Sequence, residues 1–400
     1  MQDGHRDLSS GYACRCCGGQ ALSVFYETRD VPVQSCLMVR TKQQALKFPR
    51  GDIVLAFCEE CGFISNVAFD PSKLDYSSVY EDQQSFSPTF NAFAHDLARR
   101  LIEKHNLHNK SILEIGCGKG DFLALLCELG HNYGVGIDPA YAKGRIHSEA
   151  SNRLTFIRDY YSDRYADYHG DLVCCRHTLE HIQDTNKFVN SIRRAIGNRL
   201  DTTVFFEVPD VVRVLHELAF WDIYYEHCSY FSLGSLARLF RSCKFEIVDL
   251  CKDFDDQYVL IEAKPVRQAS EKVHELEEKV EDMAKNVKHF SAHSHDKRSG
   301  WKRRLQQIHR EGRRAVIWGS GSKCVSFITT LDIRNEIEYV VDINPYRHGR
   351  FIPGAGQKVM PPEFLKKYKP DVIIVMNPIY GHEIRKLTKK LGLAAKFMYV

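Results

Sequence analysis

The chain reads as an α/β protein: a mostly parallel sheet with helical crossovers, closed by an antiparallel hairpin. A small cysteine-rich module precedes it and a second α/β unit follows. Three observations carry this reading. Apolar strand-length runs alternate with helical segments from Ser111 to about Ala263. Two CxxC pairs lie in the first 61 residues. The alternation of strands and helices restarts at Arg314.

In chain order, residues 1–80 are rich in Cys and turn residues and lack helical periodicity, which predicts a loop-rich module. Ser87-Pro88 is an N-cap followed by Pro at the first helical position, and Phe90, Phe93, Leu97 and Leu101 then recur at helical spacing. Strands are expected at Ile112–Ile115, Tyr133–Ile137, Leu154–Ile157, Leu172–Cys175 and Val204–Val208, separated by helices or long connections. Phe245–Leu250 and Tyr258–Ala263, joined by a short polar loop, read as a hairpin. Residues 268–311 are highly charged, with Val273, Leu276, Val280 and Met283 at helical spacing, and predict a linker helix. In the last segment, strands are expected at Arg314–Trp318, Glu338–Asp342, Asp371–Met376 and Lys396–Tyr399. The expected domains are 1–80, 81–265, 266–311 as linker, and 312–400.

With 400 residues, two to four domains are expected. The 55 basic and 51 acidic residues leave a net charge of +4, too mild an excess to suggest a nucleic-acid binder. No apolar run approaches the ~20 residues of a membrane span, and the N-terminus has no signal-peptide core. The expectation is a cytoplasmic protein acting on a small molecule, with its 14 cysteines as thiols or metal ligands. Oligomeric state is left open.

Cys14-x-x-Cys17 and Cys58-x-x-Cys61 are two knuckles, each followed by glycine. Each turn points two thiolates at one place, and four thiolates suit a structural zinc ion with no open coordination position. Cys16 adjoins Cys17 and competes with it as ligand. The bland alternative is a set of free buried cysteines.

Ser111-Ile-Leu-Glu-Ile-Gly-Cys-Gly-Lys-Gly-Asp121 ends a strand and opens a helix. Gly116, Gly118 and Gly120 permit a tight turn and close approach of a ligand. Glycine-rich first turns also occur in dinucleotide-binding proteins. Here the glycines run GxGxG, and Glu114 stands two residues ahead of them, which favours S-adenosylmethionine. Asp138, at the end of the second strand, is placed to accept from ribose hydroxyls, and Asp159, after the third, to hold the adenine amino group. His177 or His181, after the fourth strand, faces the cofactor or forms a hydrogen-bonded wall; His177 is the candidate carried forward.

Phe220-Trp-Asp-Ile-Tyr-Tyr-Glu-His-Cys-Ser-Tyr-Phe-Ser232 is dense in polar aromatics and ionisable groups. It resembles the Tyr-His-Glu-His-x-Ser-Tyr-Phe-Ser signature of the sugar C-methyltransferase family, which acts on nucleotide-linked keto-deoxysugars. Tyr225 stands where the family commonly has His. Val341-Asp-Ile-Asn-Pro345 and Pro353-Gly354 match further family segments, so the resemblance spans nearly the whole chain. It implies a class I methyltransferase sheet, Rossmann-like with a closing hairpin, flanked by a zinc-binding N-terminal domain and a Rossmann-like C-terminal domain that closes over a nucleotide sugar. It implies His227 as general base, with Glu226 and Tyr224 orienting the acceptor and Tyr225 contacting it. The chemistry is coherent, because carbon next to a ketone must lose a proton before it is methylated.

In the last domain, Gly319-Ser-Gly-Ser-Lys323 is a glycine turn at a helix start, with Cys324 where a dinucleotide fingerprint has its third glycine. Gly319, Ser320, Gly321 and Lys323 are candidate pyrophosphate contacts. Asp342 ends the next strand, and Asn377 and His382 follow the third. The alternatives are O- or N-methylation of another small molecule, or a zinc-module scaffold without turnover.

Overall fold

The computed structural model describes residues 12–400. Three sheets organise them. In the first, β1 (Leu22–Pro32) and β2 (Arg50–Cys58) pair antiparallel and β3 (Ile64–Asn66) extends the pair. The loop-rich reading of this segment is therefore corrected. β1 is irregular in register between Val24 and Tyr26 and again between Thr28 and Val31. Such bulges break the period-two alternation that announces a strand.

The second sheet holds β4 (Ser111–Ile115), β5 (Tyr133–Ile137), β6 (Leu154–Ile157), β7 (Leu172–Arg176) and β8 (Thr203–Pro209), followed by the hairpin strands Phe245–Asp253 and Tyr258–Pro265. Between β8 and the hairpin, β9 (Ser229–Tyr230) leaves this domain and pairs with β3, completing the first sheet. With the hairpin as β10 and β11, the order is β10-β11-β8-β7-β4-β5-β6. The five strands β4 to β8 are mutually parallel and β11 runs antiparallel to β8, as the sequence predicts. Strand order reverses at β4 and β7, so a crevice opens beyond their carboxyl ends, where ligands of such sheets bind.

The helix Pro88–His105 starts where expected. The Ser87 hydroxyl accepts from the Phe90 N–H at 3.2 Å, and left-handed Asn106 ends it. The charged helix begins later than predicted and runs from Val280 to Arg310. Val273 and Leu276 lie outside it and are exposed. Its face of Met283, Val287, Phe290, Trp301, Leu305 and Ile308 is buried. This face packs into a core shared by the first sheet and the C-terminal domain: Phe290 meets Tyr26 edge-on at 5.4 Å, and Trp301 meets Phe327 at 5.3 Å. A side chain such as Phe290 is worth about 3–5 kcal/mol on truncation to Ala, so the helix holds the molecule together although its composition is that of a solvated linker.

The third sheet is wholly parallel, with β12 (Ala315–Trp318), β13 (Tyr339–Val341), β14 (Lys358–Met360), β15 (Val372–Val375) and β16 (Lys396–Tyr399) in the order β14-β13-β12-β15-β16. β14, three residues long, is too short to signal itself. No helix among the described residues is long and apolar enough to cross a membrane.

Candidate active site

A cleft of about 1230 Å³ lies where the carboxyl ends of the second and third sheets face each other, with the end of the N-terminal segment along one side. At one end is the turn after β4. Gly116, Gly118 and Gly120 all have positive φ. At Gly116 a Cβ would come within 1.9 Å of the Thr178 hydroxyl, so both conformation and space demand glycine. Glu114 is 2% exposed, and its Oε2 has no hydrogen-bonding partner among the described residues. Burial raises its carboxyl to about 8, against the pull of Arg176. A buried carboxylate of this kind suits a ligand ammonium. Asp138 accepts from the Gly118 N–H (2.8 Å) and the Ala140 N–H (2.6 Å); burial, then the neighbouring Asp82, raise it to about 6. These residues could hold a nucleoside that carries an amino-acid arm, since both line the cleft and one Glu114 oxygen has no partner among the described residues. Asp159 does not join them. Its carboxylate takes the Tyr165 hydroxyl and pairs with Arg164, outside the lining, so the expected adenine contact is corrected; Tyr160 and Tyr161, the next residues, line the cleft.

His177, at φ +48 beyond β7, is a charged wall residue. Its Nε2 lies 2.6 Å from Glu207 Oε1. Burial opposes its charge, but Glu207 and Glu180 prevail and raise the imidazole to about 9. Glu207 also takes a two-pronged bond from Arg176 at 3.0 and 3.1 Å. Burial works against its ionisation, yet Arg176 and His177 hold it at about 2. His181, four residues on, is turned elsewhere: its Nδ1 lies 2.8 Å from the Tyr76 hydroxyl and 3.0 Å from the Glu226 carbonyl.

The 220–232 segment runs along the cleft and then into β9. The His227 ring lies 4.2 Å from that of Tyr224 and 4.7 Å from that of His181, centre to centre. It is 8% exposed and lines the cleft. Burial, then the neighbouring His181, His177 and Lys323, push its pKa well below the usual 6.5. It is therefore an unprotonated imidazole at neutral pH. Tyr224 lines the cleft beside it. Glu226 does not reach the cleft. Its Oε1 accepts from the Ser35 N–H and its Oε2 from the Tyr80 hydroxyl, both at 3.1 Å, and burial raises its pKa. It acts as a peg fastening the segment to the N-terminal domain. Tyr225, expected at the acceptor, is also corrected: its ring is fully buried against Gly51 and Phe69, and its hydroxyl accepts from the Asp70 N–H at 2.8 Å. The chain turns here, with the His227 N–H on the Tyr224 carbonyl at 3.2 Å, so that Tyr224 and His227 line the cleft while Tyr225 and Glu226 at the turn's centre point into the N-terminal domain.

From the C-terminal domain, Gly319, Gly321, Lys323, Asp342 and Asn377 line the cleft, and Ser320 and His382 do not. Ser320 is buried, with its N–H and hydroxyl on Asp342 Oδ2 at 2.7 and 2.6 Å. His382 is exposed. Asn377 exchanges two hydrogen bonds with Gln257. Lys323 reaches across the cleft to Asp222, 2.5 and 2.6 Å from its two oxygens. Sequence reasoning passed over Asp222, Tyr76, Tyr80 and Arg347. The tyrosines lie in a turn-rich stretch with no periodicity, and Arg347, 7% exposed, follows the Asn-Pro of a family segment; only three-dimensional convergence marks any of them.

Away from the cleft, the Sγ atoms of Cys14, Cys17, Cys58 and Cys61 lie within 4.8 Å of one another. Cys14–Cys61 and Cys17–Cys58 are both 3.7 Å apart. Zinc–sulfur bonds of about 2.3 Å in a tetrahedron give edges of about 3.8 Å, so the four sulfurs fit that ion. Gly18 and Gly62, at positive φ, close the two knuckles: the Gly18 N–H bonds to the Cys14 carbonyl and the Gly62 N–H to that of Cys58. Cys17 belongs to the four, and Cys16 is buried in the neighbouring apolar core.

Strand order, glycine turn and cleft together define a class I, S-adenosylmethionine-dependent methyltransferase. Comparison with known families agrees: residues 89–250 match the methyltransferase domain, and residues 258–399 match the C-methyltransferase C-terminal domain. The chain therefore carries a methyltransferase domain followed by a C-methyltransferase C-terminal domain, in the order its motifs lead one to expect. It is 25% identical over 287 residues to the C-methyltransferase NovU of Streptomyces niveus, covering 68% of this chain and 67% of that protein. Among solved structures, the N,N-8-amino-8-demethyl-D-riboflavin dimethyltransferase of Streptomyces davawensis is 18% identical, with a TM-score of 0.36, over 44% of this chain and 55% of that one. The magnesium protoporphyrin IX methyltransferase of Synechocystis PCC 6803 with bound SAH is 15% identical, with a TM-score of 0.35, over 44% and 84%. The chain thus spans about half of the first of these two structures.

Proposed function

We propose that the chain methylates a carbon atom next to the ketone of a nucleotide-linked keto-sugar, with His227 as the general base. The observation that carries this is a buried, unprotonated imidazole on the cleft wall between the glycine turn and the C-terminal domain. Glu114, Gly116, Gly118, Gly120 and Asp138 would hold S-adenosylmethionine, which when bound supplies an electrophilic methyl group. His227 accepts the proton from the acceptor carbon, and the electron pair of the broken C–H bond passes toward the ketone oxygen. Tyr224 limits the position of the His227 ring. Glu226 acts indirectly by anchoring the segment. The low pKa of His227 keeps it ready as a base at neutral pH and sets the acid limb of turnover below pH 6.5. The start of the helix Ser322–Thr330, which has no side-chain cap, faces the cleft and is suited to a phosphate.

The test is methyl transfer from carbon-13-labelled S-adenosylmethionine to a panel of nucleotide keto-sugars, read by NMR. Label on carbon supports the proposal, and label on oxygen or nitrogen overturns it. His227→Ala should lower kcat by about 10²–10⁴-fold while S-adenosylmethionine still binds; unchanged turnover would remove His227 from the mechanism. We also propose that the four cysteines hold one structural zinc ion. Metal analysis of the purified protein checks this, and Cys58→Ser should lose the metal and loosen the first sheet, since such ions contribute directly to folding.

A further inference from the structure

Two features join the C-terminal domain to the chain just ahead of His227. The first is the ion pair of Lys323 with Asp222, a residue 8% exposed that also receives Arg213 at 2.6 Å. The second is Ser326, one turn along the same helix, whose hydroxyl donates to the carbonyls of Phe220 (3.2 Å) and Ile223 (2.7 Å). Phe327 stacks on Phe220 with centres 5.8 Å apart. The helix Ser322–Thr330 thus grips the single turn Phe220–Asp222 by charge, hydrogen bond and ring. Tyr224 and His227 follow within five residues.

We propose that the C-terminal domain is a working part of the methyl-transfer site: Lys323, through Asp222, and Ser326, through the carbonyls of Phe220 and Ile223, are positioning residues that set the place and surroundings of His227. The inference rests on the reading of His227 as base and adds to it the residues that keep it in place.

The geometry argues for a role beyond adhesion. Ordinary interdomain contacts are spread over exposed rims and contribute little each. Here a half-buried ammonium meets a buried carboxylate at the cleft, and that carboxylate left without its partner is costly. A third ion, Arg213, shares the carboxylate and is itself tied to Glu217 at 2.7 Å. Around His227 stand His181, the charged His177 and Lys323. Glu180 lies close on the anionic side, and Tyr224 and Tyr230 present neutral rings. Glu226 is occupied by Ser35 and Tyr80. Of these groups only Lys323 belongs to the C-terminal domain, so its pairing with Asp222 is how that domain reaches the field at the imidazole.

The test titrates the histidines of the full chain by NMR with S-adenosylhomocysteine bound, which requires no acceptor. Lys323→Met should move the His227 titration to higher pH, because a cation is lost. Asp222→Asn should move it to lower pH, because the anion that offsets Lys323 and Arg213 is lost. Opposite directions are not expected of two merely structural lesions. With an acceptor in hand, Lys323→Met should lower kcat by about tenfold or more, leave S-adenosylhomocysteine affinity within about twofold, and be largely rescued by Lys323→Arg. Ser326→Ala, which leaves every charge in place, should lower kcat without moving the titration. Shifts in the same direction in the two charge variants, or no shift in either, overturn the inference. Turnover retained by His227→Ala would instead overturn the base assignment, so the two failures are distinct.

Discussion

The molecule contains the same local architecture twice, and the two copies use it differently. In each, a strand runs into a glycine turn, a helix follows, and the next strand ends in an aspartate: Glu114 to Asp138 in the second sheet, Trp318 to Asp342 in the third. The first turn carries three glycines at positive φ and a buried carboxylate, Glu114, with one oxygen unpartnered among the described residues. Its Asp138 takes one backbone N–H on each oxygen and keeps capacity for a ligand. In the second, Gly319 is at φ +101 but Gly321 is at φ −75, where any residue fits. Its Asp342 is occupied by the Ser320 N–H and hydroxyl, the Asn344 N–H at 2.8 Å and Arg347 at 3.4 Å. The first copy has donors and acceptors left over for a ligand. The second has used most of its own, and its helix faces the neighbouring domain. A shared topology therefore does not specify a shared ligand; the unsatisfied polar groups do.

The largest expected contrast comes from the glycines. Gly116→Ala should reduce S-adenosylmethionine affinity by about 100-fold or more, because the methyl group meets Thr178 and the backbone is left-handed. Gly321→Ala, whose Cβ comes no closer than 3.4 Å to Arg347, should change that affinity by less than about twofold. Calorimetry on both variants would erase the contrast if they behaved alike. Next come the aspartates. Asp138→Asn should weaken S-adenosylmethionine by about tenfold with little change in stability. Asp342→Asn should leave affinity intact and cost about 1–3 kcal/mol in unfolding, since buried donors lose their acceptor. The smallest effect is a pH dependence. Glu114 is largely protonated at neutral pH when free, with its pKa near 8, and a bound ammonium favours the ionised form. Affinity should rise as pH increases toward about 8 and then level off, with proton release on binding at pH 7. A flat profile would show that Glu114 does not meet the ligand's cation.

Much of the fold was legible because its signals are local. The Ser87 cap, the alternation from Ser111 onward and the closing hairpin depend on neighbours in sequence, and the structure has each of them. Where sequence reading failed, the deciding contact was one that spacing alone does not show. Tyr225 looked like its ionisable neighbours, yet the close backbone approach at Gly51 draws it into the first sheet. Asp159 stood at the right strand end, but Arg164 and Tyr165 capture it. The helix Val280–Arg310 looked solvated because its few apolar residues are diluted by charge; that they share one buried face becomes plain only when the packed partners are known.

The amino-acid sequence by itself determined the class of sheet, the glycine turn and the paired thiol knuckles, because each follows from short-range sterics and spacing. Tertiary structure alone decided which ionisable groups meet. It brought Lys323 to Asp222 across 101 residues, and Ser35 and Tyr80 to Glu226 across 191 and 146. The reason is physical. Backbone conformation is set within a few residues, whereas the protonation state and availability of a buried side chain depend on every charge and donor packed around it, whatever its distance along the chain.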